Sequence, residues 1–349
     1  MDTNDDIIKV IVKDGVTSIG ADAFADCSSL ISIAIPESVK TIGNYTFAGC
    51  NSLVSVTIPK GITTIGRGTF YNCSNLISVV IPESVSVVEN AAFYGCKSLS
   101  EVHIASIEAW CNIKFDSSNP LNHAKNLYFN GELLEELVIP KDVAVVKNFD
   151  CCESLISVIL TEGVTSIGYY AFRGCSSLTS ITLPESVTSI GGWAFENCSS
   201  LTSINIPEGV TSIGGYAFSS CSSLTSIILP EGVTSIGSSA FYNCSSLIDV
   251  VLKSTTPPAL TASSNIPLTM VFAVPGAAYE DYLTASYWAD LASQITIDDA
   301  DARVKSVALT AEAEKSALHV AIGDEDLKFV TDLTVSGSIN SYDFMVMRN

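Results

Sequence analysis

Leu183 to Ser203 reads LPESVTSIGGWAFENCSSLTS, and Ile206 to Ser226 reads IPEGVTSIGGYAFSSCSSLTS. The two stretches are nearly the same and start 23 residues apart. Working outward, the interval recurs at Phe24, Phe47, Phe70 and Phe93, and again at Phe172, Phe195, Phe218 and Phe241. A fixed period of this length is the signature of a stacked repeat, in which each unit touches only its neighbours.

Each unit divides into three parts. Leu178, Ile181 and Leu183 have the alternation of a short half-buried strand, and Pro184 ends it because proline cannot donate to the next ladder. Val187 and Ile190 point inward from a second extended piece that stops at Gly191. Ala194, Phe195, Cys198 and Leu201 are three or four apart, which predicts one or two turns of helix. One such coil cannot bury its own apolar edge, so stacking must produce continuous columns of Leu, Ile, Val, Phe and Cys.

Composition narrows the function classes. The 349 residues are 47% hydrophobic and 15% charged, which excludes a disordered chain. A net charge of −20 argues against nucleic acid, because phosphate binding needs clustered Lys and Arg. No apolar run reaches the roughly 18 residues that span a membrane, and no signal peptide is visible at the start. Nine of the eleven cysteines (Cys27, Cys50, Cys73, Cys96, Cys152, Cys175, Cys198, Cys221 and Cys244) occupy one repeat position. They read as a column of small buried hydrophobes, although neighbouring coils could bring thiols within disulfide reach. Zinc has no support, since CxxC spacing is absent, and no cofactor is expected.

The pattern IPxxVTSIGxxAFxxCxSLTSI resembles the BspA-type leucine-rich repeat of bacterial surface proteins and some protists, over about residues 7 to 252. The resemblance implies a curved right-handed α/β solenoid, strongly β, with 23-residue coils. It further implies extracellular or cell-surface binding or adhesion, without catalysis.

The array is expected to fill residues 1–253, with an irregular insert at about 100–136. There Ser106 can cap a short helix holding Ile107, Trp110 and Ile113, and Asn130-Gly131 is a hairpin signal. Regularity resumes at Leu137 in a coil short by two residues, with Phe149 and Cys152 in the core roles, while Cys151 has no assignable role. Residues 254–299 read as a cap, with a strand at MVFAV, an aromatic-faced helix over Ala277–Ala292 and a last strand at QITI. Residues 300–349 read as a linker, including a helix, and the start of another leucine-rich unit. Neither end shows a complete boundary, so both are expected to be truncated.

No catalytic set emerges. His103, His123 and His319 are scattered, and phosphate-loop, HExxH and EF-hand spacings are absent, so no enzymatic role is expected. Three exposed columns remain. After the proline come Asp14, Glu37, Glu83, Glu162, Glu185, Glu208 and Glu231, interrupted by Lys60 and Lys141; this reads as a solvated edge, or as a weak cation site. Two residues before the repeat Phe stand Tyr170, Trp193 and Tyr216, with Tyr169 beside them. These rings either pack on adjacent coils or form a ligand platform. The central strand column, including His103, Thr182 and Asn205, should line the concave face, small or apolar and poor in charge. The candidate ligand-binding residues are therefore Tyr170, Trp193, Tyr216, Thr182, Asn205 and His103. The expected partners are proteins or glycans on another cell or a host surface, with a glycan module on the aromatic row or a passive spacer as alternatives.

Overall fold

The computed structural model describes residues 7–298 apart from 117–118, 262–265 and 267–268. The linker and the second leucine-rich start expected after residue 299 lie outside the described residues, as does His319. The chain is a β-solenoid of about 12 turns with coils of about 23 residues, mostly strand with few helices. Its main ribbon runs in parallel through Lys9–Ile11, Ser32–Ala34, Ser55–Thr57, Ser78–Ile81, Glu101–Ile104 and Leu127–Phe129. It resumes at Glu136–Ile139, Ser157–Leu160 and Ser180–Thr182, then at Ser226–Leu229 and Asp249–Leu252. At Asn205 the ribbon thins to a single bridge to Ile228. A second line of two-residue strands, such as Ser166–Ile167, Ser189–Ile190 and Ser212–Ile213, stacks alongside in register.

The third part of the coil is not helical. Trp193 and Asn197 have φ of 53° and 60°, and two left-handed residues four apart break an α-helix. The N–H groups of Trp193, Phe195 and Asn197 donate to Gly215, Ala217 and Ser219 of the next coil. The alternate N–H groups of Glu196 and Cys198 close three-residue turns onto Trp193 and Phe195. The predicted helical turns are therefore a chain of β-turns, whose inward residues share the three- and four-residue spacing of a helix face. Backbone hydrogen bonds here alternate, one tying coil to coil and the next closing a turn within the coil.

Inside, the phenylalanines form a stack. Phe172 and Phe195 have ring centroids 5.7 Å apart at 9°, and Phe195 and Phe218 lie 5.4 Å apart at 10°. Phe149 takes its expected place, 5.8 Å from Phe172. The cysteine column sits beside the stack as free thiols. The thiols of Cys50, Cys73, Cys96, Cys175, Cys198, Cys221 and Cys244 donate to the carbonyl of the preceding coil's phenylalanine: Cys198 Sγ lies 3.1 Å from Phe172 O, and Cys221 Sγ 3.1 Å from Phe195 O. A small hydrophobe with one weak donor suits the position, because it fills the column and satisfies a buried carbonyl. Burial pushes the Cys50, Cys96 and Cys244 thiols up to about 12.

The insert continues the solenoid. Ser106 caps helix α1 (Ile107–Asn112) by accepting from Ala109 N at 3.0 Å. Lys114–Phe115 joins the line of short strands, and helix α2 (Leu121–Ala124) leads back to the ribbon, where Leu127 pairs with Val102. The interruption is the hairpin itself, in which Leu127–Phe129 turns through Asn130-Gly131 into Glu132–Leu133. Asn148 braces the next coil against α1, its side-chain amide donating to Trp110 O and Ile113 O while its main-chain carbonyl accepts from Trp110 Nε1.

At the other end, Val271–Val274 and Ile295–Ile297 extend the ribbon by two parallel strands. The single helix expected over Ala277–Ala292 is divided into α3 (Tyr279–Thr284) and a 3₁₀ segment, Ala289–Gln294. Tyr287, with φ of 63°, reverses the chain so that Trp288 turns inward. There it packs edge-on against Phe272 and Tyr282 and donates to Pro258 O at 2.7 Å.

Candidate functional site

The six candidate residues divide among three places. Thr182 and Asn205 lie exposed on the outer face of the ribbon, where Thr182 pairs with Ile159 and Asn205 bridges to Ile228. That face also exposes Ile11, Val80, Val138, Ile159 and Ile228, by 37–64%. Strand alternation explains this: Val158 and Leu160 face the core, which turns Ile159 outward.

His103 sits where the hairpin meets the ribbon. Its ring stacks on Tyr128 at 4.6 Å, and its Nε2 lies 3.0 Å from Glu101 Oε2. It lines a groove of about 490 Å³ that the hairpin tip, Asn130 and Gly131, closes on one side. Val80, Ile81 and Ile104 give the groove an apolar floor, and Glu37, Lys60 and Glu83 stand on its rim. The sequence signals the hairpin and the histidine separately, but not that they share a cavity.

Tyr170, Trp193 and Tyr216 do come together, on the turn side of the coil. Trp193 stacks on Tyr216 at 5.1 Å and 11°, and Tyr170 lies 5.5 Å from Trp193 at 45°. Trp193 and Tyr216 therefore show solvent mainly ring edges, Tyr170 is tilted and more exposed, and Trp193 is half-buried between its neighbours. Packing on adjacent coils is thus real, and it leaves the platform question to Tyr169. That ring is 55% exposed, meets Tyr170 edge-on at 4.4 Å and tilts over Trp193 at 4.9 Å. Gly192 makes room for it, since a Cβ there would come within 2.8 Å of Tyr169 Cε2. Arg173 sits over Tyr170 at 5.1 Å and is held by Glu196 at 2.8 Å.

The backbone beneath this row is unusual for aromatic residues. Tyr170, Trp193 and Tyr216 have φ of 59°, 53° and 56°. A left-handed side-chain-bearing residue costs about 1–2 kcal/mol, which ring stacking, at about 0.5–1.5 kcal/mol, partly offsets. In other coils Asp22, Gly68, Ala91 and Ser239 hold the same position, so the turn does not require a ring. A smaller aromatic group, Tyr45, Tyr71 and Tyr94 with Arg67 over Tyr45 at 5.9 Å, lies on the turn side before the insert. Sequence reading missed it because Tyr45 and Tyr71 occupy different repeat positions.

The acidic column is exposed at Glu162, Glu185, Glu208 and Glu231. Among the described residues there is no group of three or more His, Cys, Asp or Glu arranged to hold a metal ion. Nor, among them, is any helix long and apolar enough to cross a membrane.

Comparison with known proteins agrees with the coil geometry. A leucine-rich repeat protein from Bacteroides ovatus is 23% identical, with 83% of this chain and 74% of that chain covered and a TM-score of 0.52. The pneumococcal vaccine antigen PcpA is 19% identical, covering 84% and 76%, with a TM-score of 0.51. A leucine-rich cell surface protein from Faecalibacterium prausnitzii is 30% identical over 70% of this chain and 78% of that one, with a TM-score of 0.44. No curated protein matches the sequence. The sequence profile described as "BspA type Leucine rich repeat region" matches in six copies over residues 3–122 and 146–258. Those spans contain the phenylalanine and cysteine columns, and with them the chain belongs to the BspA-type leucine-rich repeat family.

Proposed function

We propose that this chain is a non-catalytic binding array, secreted or held at a bacterial surface, whose ribbon face engages an extended protein segment on another cell or a host. The observation that carries the reading is the outer face of the ribbon, where Ile11, Val80, Val138, Ile159 and Ile228 are exposed with little charge between them. Aliphatic side chains left in water on a rigid parallel surface suit an apolar partner strip, and extended concave ribbons are the surfaces that solenoids use for binding. The groove at His103 and the hairpin tip offers a seat for one larger side chain of that segment. The family's frequency on bacterial surface proteins supports the location.

The test coats beads with the chain and counts their retention on epithelial and bacterial cell layers and on immobilised extracellular matrix proteins. Retention well above an albumin-coated control is expected. Val138→Asp, Ile159→Asp or Ile228→Asp should reduce it at least tenfold, since each places a charge in the strip without touching the core. A chain retained no better than albumin, or retained equally by all three variants, would replace this reading with that of a passive spacer.

A further inference from the structure

We infer that the turn face around Tyr169, Tyr170, Trp193 and Tyr216 is a second site, independent of the ribbon, which binds an uncharged oligosaccharide. Coil-to-coil packing accounts for the stack of Trp193 on Tyr216. It does not account for Tyr169, an extra ring 55% exposed and seated over a glycine that carries no side chain in its way. Nor does the turn call for aromatics, because Asp, Gly, Ala and Ser serve the same left-handed position elsewhere in the array. Bulky residues held in a sparsely populated backbone region mark positions where something other than local folding selects the side chain.

The chemistry of the cluster narrows the ligand. A pyranose presents an apolar C–H face and a rim of hydroxyls. Tyr169 offers an open ring to the first, as aromatic side chains with one apolar body and one polar end do. Arg173 and Glu196, fixed against each other at 2.8 Å beside Tyr170, offer immobile donors and acceptors to the second. The pair carries no net charge and the chain carries −20, so an anionic polysaccharide is disfavoured. The row crosses three coils, about 10 Å at the usual strand spacing, which suits a short oligosaccharide.

Tryptophan fluorescence reads this site directly. Trp110 and Trp288 are 1% and 0% exposed, so Trp193 is the indole that a soluble quencher reaches. Acrylamide quenching should be measured with excitation at the red edge of the tryptophan band. The probes are oligomers of glucose, xylose, mannose and N-acetylglucosamine, with oligogalacturonate as the anionic control. At least one neutral oligomer should lower the quenching constant about twofold and saturably. Tyr169→Ala and Arg173→Gln should each weaken its apparent affinity at least tenfold while the melting midpoint of Tyr169→Ala stays unchanged. Ile159→Asp, on the ribbon, should leave the protection intact. Protection by none of the neutral oligomers, by oligogalacturonate alone, or undiminished in Tyr169→Ala would overturn the inference. Protection abolished by Ile159→Asp would move the ligand to the ribbon and overturn it too.

Discussion

Two ring stacks run side by side through the same coils. Phe172, Phe195 and Phe218 repeat at 5.4–5.7 Å and are fully buried. Tyr170, Trp193 and Tyr216 repeat at 5.1–5.5 Å only two residues away in each coil, and remain partly exposed. Stacking therefore follows from the coil spacing and says nothing by itself about core or surface. Burial separates the two. The inner column admits Phe in every regular coil, whereas the outer position accepts Asp, Gly, Ala and Ser as well. A repeat protein can vary what it presents to solvent without disturbing what holds it together.

The strongest way to break that contrast is alkali. Burial, aided at Cys50 by the neighbouring Cys27, holds the thiols of the inner column protonated, with Cys50, Cys96 and Cys244 raised to about 12 from an ordinary value of 9.0. Below about pH 9 folded and unfolded chains are both protonated at these sites, and the stability is intact. Between pH 9 and 12 the unfolded chain releases the protons that the folded one keeps, so stability falls as pH rises. The slope is about 1.4 kcal/mol per pH unit for each such thiol. Replacing Cys96 and Cys244 by Ala should flatten the decline of the urea midpoint over that window. The same slope in the double variant would mean that Cys96 and Cys244 are not among the groups that titrate.

Substitution in the two stacks gives the next largest difference. Phe195→Ala empties a fully buried site and should cost on the order of 3–5 kcal/mol. Phe24, half-buried in the first described coil, should cost clearly less when truncated. Trp193→Gly loses a stack worth about 0.5–1.5 kcal/mol and some buried area, but relieves a left-handed strain of about 1–2 kcal/mol. Its net change should stay within about 2 kcal/mol. Denaturation midpoints of the three variants measure this. A Trp193→Gly loss as large as that of Phe195→Ala would make the outer row part of the core.

The periodicity made the inner column legible, including the replacement of the missing repeat residues by Phe149 and Cys152. The Ser106 cap and the Asn130-Gly131 hairpin were legible because each rests on local chemistry. The turn segment was misread as helical because inward residues three and four apart fit both conformations. A signal was present all the same: Asp26, Gly49, Asn72, Gly95, Gly174, Asn197, Ser220 and Asn243 all precede the column cysteine, and all have positive φ. Cys151 belongs to that left-handed column, which is the role it lacked in the sequence. The aromatic-faced helix failed at Tyr287 because its pattern cannot show that Trp288 must turn inward to reach Pro258. The groove at His103 was not legible at all, since it forms between segments whose relative placement only the fold provides.

The smallest effect separates the two halves of the acidic edge. Before the insert this column alternates in sign, Glu37, Lys60, Glu83, while after it the column opens with Lys141 and then runs through Glu162, Glu185, Glu208 and Glu231 without relief. At a strand spacing of about 4.8 Å, two carboxylates in water repel by somewhat under ~1 kcal/mol. Glu208→Lys rebuilds the alternation and turns two repulsions into two attractions. It should raise the melting midpoint by up to a few degrees at low ionic strength, because about 1 kcal/mol moves a chain of this size by about 1–2 °C. The gain should fade above about 0.1 M salt, where the Debye length drops to about 10 Å and below. Sodium chloride should meanwhile raise the midpoint of the unsubstituted chain and leave that of the variant nearly flat. Calcium at matched ionic strength separates repulsion from binding: an extra gain that Glu208→Lys abolishes would make the edge a cation site, and equal gains from both salts would leave it a solvated edge. A midpoint that Glu208→Lys does not raise would show that the carboxylates splay far enough apart not to feel one another.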